Sequence, residues 1–218
     1  MPPTDSNQSG WFSTKRIETI FLVILLLTSF LSAFCAYQAN RWNGVQSAKY
    51  QEASTLRTES VRAFNDANTR LIIDLNVFLT WADAVNRNDS DRARAVASRF
   101  TPEFKPAFAA WIARDPGGLQ GTTPNGTPFS LPEYHLSARD LGTRLEENAT
   151  AAFTEAQHAS DIGTSYILTT LICAIVLFLC GVGEEWANPR LRIVILGTAI
   201  VFFGIAAAML AMLPKIIF

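Results

Sequence analysis

The chain is 218 residues long, 49% hydrophobic, and carries a formal net charge of −1. That balance excludes the basic excess on which nucleic-acid binding depends, and no nucleic-acid partner is expected. The length leaves room for one ordinary domain, or for a smaller one combined with membrane spans.

The apolar residues are gathered into three blocks without a charged side chain: 19–37, 162–183 and 193–214. A helix rises about 1.5 Å per residue, so roughly 20 residues cross the hydrocarbon core. Lipid offers the backbone no hydrogen bonds, so each block is expected to be a transmembrane helix. The bilayer is then the first partner of the chain. Ahead of the first block lies a polar tail, 1–18, ending near Lys15 and Arg16. A cleaved signal peptide would also have basic residues there. The block "TIFLVILLLTSFLSAFCAY" is longer than a signal core, however, and "SAFCAYQA" offers no clean small-x-small cleavage site, so a retained anchor is expected. Cys35, Cys173 and Cys180 all fall inside the blocks. They imply no disulfide framework and read as small apolar packing residues.

The hydrophilic region, 38–161, has a helical pattern. Val61, Phe64, Asn68, Leu71, Leu75, Phe78, Ala82 and Val85 recur at alternating steps of three and four, a heptad-like seam with Asn68 as its polar member. No glycine or proline interrupts 45–101, so one helix from 45 to 86, on the order of 60 Å long, is expected. A second is expected over Ser90–Phe100. Thr101-Pro102 then supplies a cap followed by a first-turn proline. Phe104, Phe108, Trp111 and Ile112 give the next segment an aromatic face, a candidate interaction surface.

"RDPGGLQGTTPNGTPFSLPEYHL", residues 114–136, is rich in glycine and proline. Its last part, Ser130-Leu131-Pro132-Glu133, matches a capping box and predicts a helix start. The loop over 115–131 is longer than a plain connector needs. It reads first as a connector and second as a contact surface that would include Glu133, Tyr134 and His135. The helix that follows carries Leu141, Leu145, Ala149, Ala152, Ala156 and Ala159 on one stripe and leads into the second block. The expected fold is all-α: three transmembrane helices with an antiparallel helical bundle inserted between spans one and two.

Between spans two and three lies a short turn, 184–192, with Arg190 and Arg192. Together with Lys15 and Arg16 these favour a cytoplasmic N-terminus and turn, leaving 38–161 outside. Arg41, Lys49 and Lys215 weigh on the other side. Trp11, Tyr37, Trp42 and Trp186 stand near span ends, where amphipathic rings prefer the interface.

Signs of chemistry are sparse. Glu155, His158 and Asp161 share one helix face just before span two, and a histidine with two carboxylates can bind a divalent metal. Three ligands on one helix stagger along it, so a second element would have to complete the site; a solvated face is the plainer reading. His135 reads as a solvated residue of a first helical turn. The spans hold no ionisable residue, which argues against a pump or coupled transporter. Thr28, Ser29, Ser32, Thr169 and Thr170 could line an oligomeric pore, or could pack and hydrogen-bond between helices beside Gly197 and Gly204. There is no phosphate-binding glycine loop, G-x-S-x-G, C-x-x-C or H-E-x-x-H. No enzymatic activity, cofactor or bound metal is expected.

The run "FKPAFAAWIARDP", then "TPFSLPEYHL", with "RWNGVQSAKYQEAS" after span one and "NPRLRIVILG" entering span three, resembles a group of uncharacterised bacterial three-span membrane proteins of about 200 residues. The resemblance covers most of 30–214. It implies a multi-pass protein of the bacterial cytoplasmic membrane with one inserted helical region, and carries no activity. The expected function is a non-enzymatic interaction or envelope-sensing module, with a second copy or another membrane protein as partner; the alternative is an oligomeric pore or channel formed by the three spans.

Overall fold

A computed structural model describes residues 8–114 and 126–216, with side chains from Arg16 onward. Among the described residues there is helix and no strand. In chain order the helices are α1 (Gln8–Asn86), α2 (Ser90–Ala97), α3 (Phe104–Arg114), a 3₁₀ turn (Pro128–Ser130), α4 (Ser137–Glu185) and α5 (Pro189–Met212). Two compact units share the chain: Met1–Gln51 with Ala152–Phe218, and Glu52–Ala151. Both α1 and α4 contribute to each.

The first unit holds all three apolar blocks. On α1, Phe21 and Ile24 are buried with Val176 and Cys180 of α4 and with Leu196 and Ala199 of α5. Farther along α1, Cys35 and Ala39 meet Ile162 and Tyr166, with Leu210 and Leu213 against them. Residue numbers therefore rise along α1 and α5 while they fall along α4, so α4 runs against the other two. Beside Phe21 and Tyr166, the buried side is largely small residues, including Thr28, Cys35, Ala39, Cys173, Ala199 and Ala206. Small side chains let helix backbones approach closely, which is how helices associate in lipid, where apolar burial alone gives no advantage.

Gly183 marks the tightest approach. A Cβ built there would lie 2.8 Å from Phe21 Cζ and 2.9 Å from Ile195 Cγ2. Gly183→Leu is expected to force α4 away from both neighbours and cost roughly 1–3 kcal/mol. A thermal melt of the full chain in mild detergent would check this; an unchanged midpoint would mean that the helices are not held at that distance.

Beyond α5 the chain is tied back. Gln38 Nε2 donates to Ile216 O (3.3 Å) and Gln38 Oε1 accepts from Ile216 N (3.2 Å). Trp42 Nε1 and Tyr166 Oη both donate to Pro214 O, at 3.2 and 3.1 Å. These bonds satisfy backbone groups of the extended segment after α5, which have no helical partner. Near this unit's other end of α1, Arg192 Nη2 stands 3.4 Å from Glu18 Oε1, and its guanidinium lies 5.8 Å from the centre of the Phe21 ring. The starts of α1's apolar block and of α5 thus meet.

In the second unit, Ser60 Oγ donates to Gly142 O (2.9 Å) and Arg57 Nε lies 3.7 Å from Glu146 Oε1. Here α1 and α4 again run antiparallel. The buried line of α1 is Ala53, Ser60, Ala67, Asp74 and Trp81, one residue every seven, with Ala63 and Ala84 beside it. This corrects the seam expected from Val61 to Val85. Phe64, Leu71, Phe78 and Val85 are half-buried, whereas Val61, Asn68 and Leu75 face outward. Bulk misled the pattern: along the part of α1 that faces α4 the inward side is taken by the small Ala53, Ser60 and Ala67, and Asp74 and Trp81 continue the line into the aromatic cluster. On α4, Ala149 here and Ala152, Ala156 and Ala159 in the first unit are buried as expected, Leu145 is half-buried, and Gly142 replaces the exposed Leu141 at the head of the stripe.

α1 ends in a hydrogen-bonded cap. Asn88 has φ 57°, Asn88 N donates to Val85 O (2.9 Å) and Asp89 N to Ala84 O (3.0 Å). That is a Schellman arrangement with asparagine in the left-handed position. Asp89 then caps α2, accepting from Arg92 N at 3.0 Å. The second helix is shorter than expected, closing at Ala97. Thr101 does cap α3: its Oγ1 accepts from Phe104 N at 3.2 Å.

The capping box at Ser130–Glu133 is overturned. Leu131 is extended (φ −84°, ψ 145°), Ser130 Oγ donates to Thr127 O, and α4 begins at Ser137. The residue before a proline is driven out of the helical region, and Leu131 precedes Pro132. The glycine–proline stretch 115–125 lies outside the described residues.

Candidate functional site

The second unit is organised around one carboxylate in a nest of rings. Phe78, Trp81, Phe100, Phe104, Phe108, Trp111 and Phe129 pack with ring centroids 4.7–6.5 Å apart, mostly edge to face. Their quadrupoles favour that geometry. Against them lies Asp74, 1% exposed, with Thr101 Oγ1 donating to its Oδ1 (2.7 Å) and Tyr134 Oη to its Oδ2 (3.0 Å). A buried carboxylate is tolerated only when its oxygens are hydrogen-bonded, and here α1 carries the carboxylate while the start of α3 and the segment before α4 each supply a partner. No sequence motif marks Asp74. Its signal is its place seven residues from both Ala67 and Trp81, on the line that turns inward.

The aromatic face expected as a surface is instead this core. Phe104 is fully buried, Trp111 is 8% exposed, and Phe108 is half-buried among them. Folding removed the face from solvent because Phe78 and Trp81 of α1 offered it apolar partners. Trp111 Nε1 donates to Gly126 O at 3.3 Å, so the indole is satisfied. Tyr134 turns inward. Glu133 remains exposed and meets Arg114 (3.4 Å), and His135 Nε2 is 2.6 Å from Asp140 Oδ2 with both side chains largely exposed. These residues therefore close a segment onto the core rather than forming one surface.

Burial, the hydrogen bond to Asp74 and the Asp74 charge push the Tyr134 phenol well above the ordinary tyrosine range, with Arg139 opposing. Since the folded value is raised, its contribution to stability is complete below the unfolded value near 10 and is lost as pH rises beyond it. Alkaline titration followed by phenolate absorbance is expected to show a late component that disappears in Tyr134→Phe. Its survival in that variant would assign it elsewhere.

The three residues considered for metal are not brought together. Glu155 Oε2 pairs with Lys49 Nζ at 2.8 Å, beside the Tyr50–Phe153 ring contact. Among the described residues no group of three or more His, Cys, Asp or Glu is arranged to hold a metal ion. The span hydroxyls turn back on their own helices. Thr28 donates to Ile24 O, Ser29 to Leu25 O, Thr169 to Ser165 O and Thr170 to Tyr166 O, at 2.7–3.0 Å.

What the second unit leaves to solvent is equally informative. Val61, Ile72, Leu75 and Leu79 of α1 are 40–57% exposed. They lie on the side of the helix away from its buried line.

Three helices, in α1, α4 and α5, are long and apolar enough to cross a membrane, and the exposed side chains along them include Phe30, Phe178 and Val201. Apolar on all sides is the composition of a helix solvated by lipid. Among the described residues the protein is all-helical, and its three long apolar helices mark it as a membrane protein. No family model, curated protein or solved structure matches the chain.

Proposed function

We propose that the protein is a non-enzymatic interaction or envelope-sensing module of a bacterial cytoplasmic membrane. In this reading 38–161 forms an antiparallel helical bundle between spans one and two, outside the cytoplasm, and makes contact with other proteins there. The N-terminus and the 184–192 turn face the cytoplasm. The meeting of Glu18 with Arg192 supports placing those two ends on one side.

One observation carries the reading: the apolar strip of Val61, Ile72, Leu75 and Leu79 stays exposed, apart from the unit's aromatic core. Single apolar residues on a surface are ordinary, but Ile72, Leu75 and Leu79 follow one another at steps of three and four on one helix face, with Val61 on the same line beyond Asn65 and Asn68, and such a strip marks a contact surface. The buried polar groups support it as well. Asp74 is spent on structural hydrogen bonds, and the hydroxyls of the spans bond their own backbones, which weakens the pore alternative.

A photo-cross-linking side chain at Ile72 or Leu79, in the full chain in its native membranes, is expected to give adducts of higher mass. The same group at Arg92, on α2, serves as the control. No adduct at Ile72 or Leu79 above that control would overturn the reading.

A further inference from the structure

α1 carries a second heptad beside the one it buries. Its a positions are Asn65, Ile72, Leu79 and Asn86, and its d positions are Val61, Asn68, Leu75 and Ala82. Ala82 is half-buried and the others are exposed. We propose that this strip pairs, parallel and in register, with the same strip of a second copy of this chain, as a two-stranded coiled coil over 61–86. The inference rests on the interaction-module reading and names its partner.

Layer chemistry selects both the partner and the direction. In a parallel, in-register pair each layer meets itself. Ile72, Leu75 and Leu79 then face their own counterparts, and Asn65, Asn68 and Asn86 face amides that can hydrogen-bond them. An antiparallel pair sets a against d instead. Asn68 would then oppose Leu79, Asn65 would oppose Ala82, and Val61 would oppose Asn86. In that register, the one that overlaps all eight positions, each amide is buried against an apolar side chain, which costs the desolvation of an unpaired polar group. The register shifted by one heptad pairs Asn68 with Asn86 but leaves Val61 and Asn65 beyond the end of the partner's α1, so the parallel pair alone matches the whole strip. Asparagine within a heptad seam is the device that sets register and strand number in parallel coiled coils. An unrelated apolar partner would strand the same amides.

Charge agrees with this pairing. No charged residue occupies an a or d position. The flanking g positions, Phe64, Leu71, Phe78 and Val85, are apolar and half-buried, so Arg62 and Asp83 at e positions meet no like charge across the pair.

Geometry adds a further reason. On a straight helix a seven-residue repeat drifts about 20° per heptad, so a strip of this length would wander off one face. The buried line of α1 also repeats every seven residues, through Ala53, Ser60, Ala67, Asp74 and Trp81. A helix wound to keep that line inward keeps the parallel strip on one face too. The strip rises roughly 39 Å. It is narrower than a standard interface of about 800 Å² per partner, so pairing needs concentration. Because α1 also carries span one, copies held in one bilayer supply it.

Disulfide scanning of the full chain in liposomes tests the proposal. Cysteine is placed singly at Ile72, Leu75 or Leu79, with Ile73→Cys as the off-strip control. The unsubstituted chain, whose Cys35, Cys173 and Cys180 are buried, is the background. Mild oxidation is expected to give same-position dimers at all three strip sites, at least several-fold above Ile73→Cys. Adding Leu75→Glu, an exposed change whose fold is checked by circular dichroism, is expected to abolish the dimer at Ile72→Cys. Cross-links formed only between different positions, Ile72→Cys with Leu75→Cys or Leu75→Cys with Leu79→Cys, would mean antiparallel pairing and overturn the register. No strip dimer above control would overturn the second copy as partner. In that case a photo-adduct at Ile72 to a different protein would preserve the module reading, and absence of both would remove both.

Discussion

Phe104→Ala is expected to cost about 3–5 kcal/mol and to unfold much of the 52–151 unit under mild conditions. The ring is fully buried and touches rings from three different places: Phe78 on α1, Phe100 after α2, and Phe129 and Tyr134 before α4. Truncation leaves a cavity whose walls belong to separate elements, and these cannot close on it without giving up the Asp74 bonds. Tryptophan fluorescence during urea unfolding reads the effect directly, because Trp81 and Trp111 lie in the same cluster. Phe104→Leu, which keeps most of the volume, is expected to cost clearly less. Equal midpoints for wild type and Phe104→Ala would show that the cluster is not what holds the unit together.

Asp74→Ala is expected to cost about 2–4 kcal/mol, through hydrogen bonding rather than volume. Removing the carboxylate strands two hydroxyls, Thr101 Oγ1 and Tyr134 Oη, that have been taken from water to meet it. Asp74→Asn retains an acceptor, and the hydroxyls can rotate to suit the amide, so less than half that loss is expected. Because Asp74 and Tyr134 share one bond, the double variant Asp74→Ala/Tyr134→Phe is expected to lose less than the sum of the singles. Additive losses would mean that the two residues act independently. The segment from Pro128 to Leu136 is fastened by this network, so limited proteolysis there should quicken in Asp74→Ala before the rest of the unit is cut.

Much of the architecture was legible in the residues themselves. Uncharged runs of 19 and 22 residues have one physical destination, and α1, α4 and α5 contain them. Thr101 was readable as a cap because a hydroxyl followed by proline satisfies an open helix start without asking for a lost N–H. Two local errors have local causes. The heptad over Val61–Val85 was phased by size, although closely packed helices bury small residues. The capping box ignored the proline at its third position, which holds Leu131 extended.

The site was less legible. An aromatic face at Phe104, Phe108 and Trp111 looks the same in sequence whether it binds a partner or its own chain. Only the presence of Phe78 and Trp81 across from it decides, and that depends on contacts between residues some thirty positions apart. Asp74 has no motif around it; a carboxylate on a helix is normally solvated, and nothing local says that Tyr134, sixty residues on, will reach it.

By itself, then, the sequence determined that the chain is helical and that three of its stretches belong in lipid, since hydrogen-bond satisfaction and apolar transfer act on each stretch separately. The tertiary structure decided which face of α1 is core and which is left over. That choice depends on how closely α4 can approach and on where the aromatic rings find one another, and both are properties of the packed molecule.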